Sequence, residues 1–335
     1  MKVIELREPG SPAGLVLAHR PRRMPGSGEI EVRIEAASLN FHDHAVITGA
    51  LPVATGRIPL SDAAGVVSAV GPEVSAFREG DAVMSTFFPA WMDGPVSRGV
   101  LACVPGEHVD GFAAEYVCAP ARAFTRVPAA YSMAEAATLP CAALTAWRAL
   151  FVENTLRPGD YVLVQGTGGV SLFALQFALA AGARVIATSA SGEKRQKLRA
   201  LGAEHVIDYA SEKDWGDLVR QRSGGEGVDI VVEVGGPGTL AQSIASTRVG
   251  GSIVLIGVLT GWSGEVPTAA LMGKNIRLTG MTVGSVAHQQ LMLRSLEAMP
   301  ARPVIDRCFP LHDVSDAFRF MAAQKHFGKI GLLFG

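Results

Sequence analysis

Short apolar runs closed by turn residues dominate the first part of the chain: IEVRIEAASLN, GVVSAVG and DAVMSTFF each end near glycine, proline, asparagine or aspartate. This pattern predicts an all-β region to about residue 130. From residue 131 the period changes. MAEAATLPCAALTAWRALF carries apolar positions at helical spacing, and YVLVQ, ARVIAT, HVIDY, DIVVEV and SIVLIGV follow as short apolar runs, with helix-like segments between the first several. Strands that are apolar on both faces are those covered by helices on both faces, as in parallel βαβ units. Residues 131–282 are therefore expected to form a doubly wound α/β domain. The tail contains helices and ends in an apolar strand with no place in that order, which leaves a return to the first region open.

Composition narrows the function classes. A chain of 335 residues is longer than one compact core usually supports, and two domains are the expectation. No run of roughly 18–20 apolar residues offers a bilayer span. Lys and Arg number 30 against 31 acidic residues, so there is no basic excess to hold a nucleic acid backbone. The start, MKVIELREPGSP, reads as a short strand without the apolar core of a secretion signal, and the cytoplasm is the expected location. Cys103, Cys118, Cys141 and Cys308 contain no CxxC pair, which is poor material for a disulfide framework or a cysteine zinc site.

The first chemistry-bearing motif lies between a strand and a helix. Tyr161–Gln165 is followed by Gly166-Thr167-Gly168-Gly169-Val170-Ser171 and then by LFALQFALAAG. A bound dinucleotide needs a tight turn here, close approach of backbone to its pyrophosphate, and helix-start N–H groups aimed at the anion. Gly166, Gly168 and Gly169 meet those needs, with Ser171 in place of the third glycine of GxGxxG. Choice between NADH and NADPH is read after the second strand. No carboxylate stands directly at that strand end; Ser189 and Ser191, then Lys194 and Arg195, do. Hydroxyls and basic groups suit a 2′-phosphate, and NADPH is the predicted cofactor.

With these landmarks the chain resembles the medium-chain dehydrogenase/reductase superfamily, in particular its zinc-free quinone-oxidoreductase and alcohol-dehydrogenase-like branch. The resemblance rests on Leu39-Asn40-Phe41-His42-Asp43, Pro59-Leu60-Ser61-Asp62-Ala63-Ala64-Gly65, Gly80-Asp81-Ala82-Val83, Ala136-Ala137-Thr138-Leu139-Pro140, Leu144-Thr145-Ala146-Trp147 and the GTGGVS loop. It implies a GroES-like β-rich catalytic domain, discontinuous over residues 1–130 and 283–335, and a Rossmann domain over residues 131–282. It also implies a homodimer, or a higher homo-oligomer, through the last Rossmann strand near residues 276–280. Carried over residue by residue, it puts nicotinamide and ribose contacts on Asn40, Asp43 and Thr145, and the pyrophosphate on Gly168, Gly169 and Val170. The 2′-phosphate falls to Lys194 and Tyr209, and the carboxamide to backbone near Gly257 and Val283.

Zinc members of the superfamily carry a ligating cysteine where Leu39-Asn40 stands and a His-Glu pair where Ser61-Asp62 stands, and their structural zinc lobe needs four cysteines where this chain has only Cys103. No zinc is expected, although His42, Asp43 and His44 leave metal binding open. Tyr209 and Lys213 match a Tyr-x-x-x-Lys pair, but they follow the third strand at the adenosine end, and Tyr209 is read as a cofactor contact. Without a metal or a sure acid–base group, oxidation of an unactivated alcohol is disfavoured. Hydride transfer to a quinone or enone asks less, because the substrate carbonyl accepts the charge. Asn40 is assigned to polarising that carbonyl and Asp43 to positioning. Phe41, Phe87, Trp91 and Trp262 are weak pocket candidates, and Ala45, where related quinone reductases carry tyrosine, implies a different pocket. An alcohol dehydrogenase or carbonyl reductase, and a non-enzymatic NADPH-binding sensor, remain as alternatives.

Overall fold

The computed structural model describes residues 1–299 and 301–335. The chain forms two compact units, one of Met1–Leu144, Gly284–Arg294 and Arg302–Gly335, the other of Thr145–Val283 and Ser295–Ala301.

The first unit begins with β1 (Lys2–Leu6) and β2 (Leu15–His19), which pair antiparallel, followed by β3 (Glu29–Ser38), α1 (Phe41–Ile47), β4 (Asp62–Val70), β5 (Ala82–Ser85), β6 (Tyr116–Pro120), β7 (Phe124–Arg126) and α2 (Met133–Ala136). The all-β reading of this region missed α1. That helix is too short to show a period, and it starts because the Asp43 carboxylate accepts the Asn40 N–H at 2.9 Å, one half of a capping box. The transition expected near residue 130 lies between Leu144 and Thr145, because α2 packs on β3 and β4. The single helix suggested by MAEAATLPCAALTAWRALF is also broken. A π-helical turn at Leu139–Ala143, containing Pro140, separates α2 from the next helix.

The second unit contains α3 (Leu144–Phe151, whose first residue belongs to the first unit), β8 (Tyr161–Gln165), α4 (Gly169–Ala180), β9 (Arg184–Thr188), α5 (Gly192–Ala200), β10 (His205–Ile207), α6 (Trp215–Arg222), β11 (Val228–Glu233), α7 (Pro237–Ser246), β12 (Thr247–Leu255), α8 (Thr268–Gly273) and β13 (Arg277–Gly280). Its sheet has the order β10-β9-β8-β11-β12-β13, parallel throughout. Val162, Leu163, Val164, Val185, Ile186, Val231, Val232 and Ile253 are fully or almost fully buried, as two-sided helix cover requires. The chain runs outward from β8 to β9 and β10, then returns to place β11 on the other side of β8. The carboxyl ends of β8 and β11 thus flank the topological switch point, where open α/β sheets bind ligands.

The tail supplies α9 (Val286–Ala298), β14 (Ile305–Pro310), α10 (Val314–Ala322) and β15 (Lys329–Leu333). Strand β15 lies antiparallel to β3 with Gly331 opposite Ser38, and β14 lies parallel to β15, so the apolar end of the chain completes the first unit's sheet β14-β15-β3-β4-β5-β7, with β6 also on β3. Ile30, Val32, Ile34, Leu60, Phe112, Phe318, Ile330 and Leu332 form its core. Among the described residues no helix is long and apolar enough to cross a membrane.

Candidate functional site

At the end of β8 the glycine loop has the geometry an anion needs. Gly166 has φ +69°, in the left-handed region, and Gly168 caps α4 without a side-chain hydrogen bond. A Cβ on Gly166 or Gly168 would meet no atom within 4 Å, so there is open space over the helix start, where the first N–H groups have no intrahelical acceptor. Ser171, standing for the third glycine, is buried and donates its hydroxyl to the Gln165 carbonyl at 2.6 Å. A hydrogen bond holds helix to strand where a glycine would allow close packing. Thr167 is buried, and Gly169 and Val170 form the first turn of α4. These residues fit a dinucleotide.

The next strand ends show how the surrounding loops are held. Ser189 is buried, and its hydroxyl accepts the Ser191 N–H at 3.4 Å; Ser191 caps α5 and accepts the Lys194 N–H at 3.4 Å. Arg195 donates to the carbonyls of Ser189 and Ala190 and pairs with Asp208 at 2.7 Å, so this half of the basic pair braces the loop. Tyr209 follows Asp208 and is exposed. After β12, a Cβ at Gly257 would lie 2.2 Å from the Val234 carbonyl oxygen, a contact only glycine allows. Val283 has φ +36°, a conformation a β-branched residue rarely adopts, and Arg148 donates to the carbonyls of Thr282 and Val283. Thr145 is buried in the first turn of α3, and Trp262 is exposed on the loop after β12.

In the first unit the sequence-assigned Asn40 and Asp43 join a buried polar cluster. The Asp43 carboxylate accepts the N–H groups of Asn40 and Ser61, both at 2.9 Å, which makes it a brace between α1 and the start of β4. The Asn40 side chain donates to Ser61 Oγ at 3.1 Å and accepts from the Lys329 ammonium, which also donates to the Leu39 carbonyl. Asp62 is fully buried; one oxygen accepts the Cys141 N–H at 3.1 Å and the other has no hydrogen-bond partner among the described residues. Burial raises the Asp62 carboxyl to about 7 against the opposing pull of Lys329, and burial lowers Lys329 despite the Asp62 charge.

His42 Nε2 lies 2.8 Å from Glu107, and Nδ1 lies 3.7 Å from Asp43. Burial pushes this imidazole down, but the two carboxylates outweigh it and lift it to about 9. His44 stacks on Phe41, and burial lowers its pKa. Phe87 meets His42 edge-on at 5.2 Å and contacts Phe88, which contacts Trp91. Trp91 is a core residue whose indole N–H donates to the Gly94 carbonyl, whereas Phe41 is exposed.

Among the described residues no three His, Cys, Asp or Glu side chains converge as a ligand set. Around Asn40 the Lys329 ammonium already supplies a cation. The buried polar side chains of these networks that sequence reasoning missed are Lys329, Gln165 and Glu233. The last two were visible as polar residues ending apolar strands, and Lys329 gave no such signal.

Known proteins share this fold. Residues 26–129 match the alcohol dehydrogenase GroES-like domain and residues 169–298 the zinc-binding dehydrogenase domain. A zinc-type alcohol dehydrogenase-like protein of Schizosaccharomyces pombe is 40% identical over 314 residues, 91% of this chain and 90% of that protein. A crystal structure described as an NAD-dependent alcohol dehydrogenase aligns with TM-score 0.92 and 34% identity over 100% of both chains. A mycobacterial protein solved with NADPH aligns with TM-score 0.84 and 29% identity over 99% of both chains. A GroES-like unit joined to a parallel-sheet dinucleotide unit defines a class of NAD(P)-dependent oxidoreductases. Within that class, the chain belongs to the medium-chain dehydrogenase/reductase superfamily.

Proposed function

We propose that the protein is a cytoplasmic, zinc-independent reductase that uses NADPH to reduce a small electron-poor carbonyl compound, a quinone or an α,β-unsaturated ketone or aldehyde. The observation that carries this reading is the Lys329–Asn40–Ser61 chain of hydrogen bonds, with buried Asp62 beside it, where zinc members hold their ligands. NADPH, when bound, supplies the hydride. Lys329 donates to the carbonyl end of the Asn40 side chain and so strengthens its amide as a donor, the group assigned here to polarising a substrate carbonyl. Asp43 fixes the backbone on either side of this donor. Solvent or an unidentified acid supplies the proton that completes the reduction. Preference for NADPH is supported by the absence of a carboxylate directly at the end of β9 and by Ser189, Ser191 and Lys194 after it.

The test is a spectrophotometric screen of NADPH and NADH consumption against quinones, enones, aldehydes and ketones, with elemental analysis of the same preparation. Oxidation of NADPH by quinones or enones without bound metal is expected. Stoichiometric zinc with chelator-sensitive alcohol oxidation would overturn the zinc-independent reading, and saturable NADPH binding without turnover of any acceptor would mark a sensor.

A further inference from the structure

Glu233 closes β11 and is fully buried. One of its oxygens accepts the N–H groups of Gly235 at 2.7 Å and Gly236 at 2.9 Å and the Thr239 hydroxyl at 2.6 Å. The other accepts the Gln165 side-chain amide at 2.7 Å and the Ser243 hydroxyl. Every partner is a donor. Gln165 closes β8, the neighbouring strand, and its own carbonyl oxygen accepts the N–H groups of Val234 and Gly235, both at 3.3 Å. The two side chains therefore bridge the ends of β8 and β11, the strands that flank the topological switch point.

A buried carboxylate is costly unless its lone pairs are filled, and here they are filled by groups of the loop it precedes. That loop passes the constraint onward. The Gly235 carbonyl accepts the backbone N–H and the hydroxyl of Thr260, both at 2.8 Å, and the Thr260 hydroxyl accepts the Gly238 N–H at 2.8 Å. Gly257 lies against Val234 in the same seam. One connected network thus runs from Gln165, the residue before the glycine loop, through Glu233 to the loops after β11 and β12.

We propose that Glu233 and Gln165 form a buried clamp that positions these loops for the dinucleotide, with Glu233 as a positioning residue for cofactor binding. The proposal rests on the cofactor reading above. It makes a specific claim about hydrogen-bond polarity. In Glu233→Gln the new NH2 must face either the N–H groups of Gly235 and Gly236 or the Gln165 amide. Turning Gln165 over relieves the second conflict only by aiming its NH2 at the N–H groups of Val234 and Gly235. Exchanging the two residues resolves both conflicts. The amide at the end of β11 then donates to the carboxylate at the end of β8, and the second oxygen of that carboxylate accepts from Val234 and Gly235.

The experiment is a fluorescence titration of NADPH, with steady-state kinetics, on the wild type, E233Q, Q165E and the Q165E/E233Q exchange. Expected are an NADPH affinity at least about tenfold weaker in each single variant, with kcat at saturating NADPH within about twofold, and recovery to within about threefold in the exchange. Wild-type affinity in E233Q would overturn the clamp. So would an exchange variant that fails to fold, or that folds with a wild-type melting temperature and still binds about tenfold more weakly. A wild type that binds neither NADPH nor NADH would overturn the cofactor reading itself, a result distinct from any of these.

Discussion

His42 shows how much one side chain can encode. Its neighbours Asp43 and Glu107 hold the ring charged, with a pKa of about 9 against an ordinary value of 6.5. A base whose pKa is raised by folding stabilises the fold fully below its unfolded value, and that stabilisation fades as pH rises through the folded value. About 3 kcal/mol is therefore present at pH 6 and gone by pH 10. Denaturant midpoints of the wild type should fall between pH 7 and 10 more than those of His42→Gln; parallel curves would refute the assignment. Lys194 gives a second prediction at this scale. If it faces the 2′-phosphate, Lys194→Ala weakens NADPH by about tenfold and NADH little, measured by competitive titration, and equal losses would reject that contact. Asn40, Asp43 and Lys194 were assigned through a local motif and a resemblance. Lys329 was not, because its role exists only once β15 lies beside β3 and carries the ammonium to Asn40.

At the level of elements, legibility followed the strength of the local signal. The doubly wound unit could be read because its central strands β8, β9 and β11 are apolar on both faces, and the glycine loop because strand, loop and helix are contiguous. The π-helical turn at Leu139–Ala143 could not, since Pro140 and its neighbours keep helical apolar spacing across the break. Glu233 and Gln165 ended strands that were read correctly, but their pairing depends on β8 and β11 being neighbours, which follows from sheet order and not from local pattern. The strand–helix joint at α4 yields a test. Gly168 has φ −75°, compatible with any residue, and its Cβ position is open. Gly168→Val should fold with a melting temperature close to wild type while its side chain fills the space over the helix start. NADPH affinity falls at least about tenfold in calorimetric titration, and undiminished binding would show that the pyrophosphate lies elsewhere.

Across the whole molecule, the return of the tail explains why the first unit is discontinuous: its sheet is completed by β14 and β15. The sequence pattern left that return open, because an apolar strand at the end of a chain does not say which sheet it joins. The parallel sheet of the second unit, by contrast, ends at β13, which among the described residues pairs as a strand with β12 alone. An edge strand of this kind presents free N–H and carbonyl groups, and proteins cover such edges or pair them. The chain also exposes Leu259 and Trp262 on the loop after β12 and Met272 on α8, and α8 buries none of its residues. A second copy related by a two-fold axis would pair β13 with β13 and extend the sheet across both subunits, the self-complementary arrangement expected of a homodimer. The proposed dimer should appear as twice the chain mass of 35.1 kDa in light scattering at micromolar concentration. Thr279→Lys, which places a charge on the edge beside its own symmetry mate, should shift that mass toward the monomer without lowering NADPH affinity, because Thr279 lies on the edge strand away from the glycine loop. A monomeric wild type, or a Thr279→Lys variant that stays dimeric, would place the subunit contact on another face.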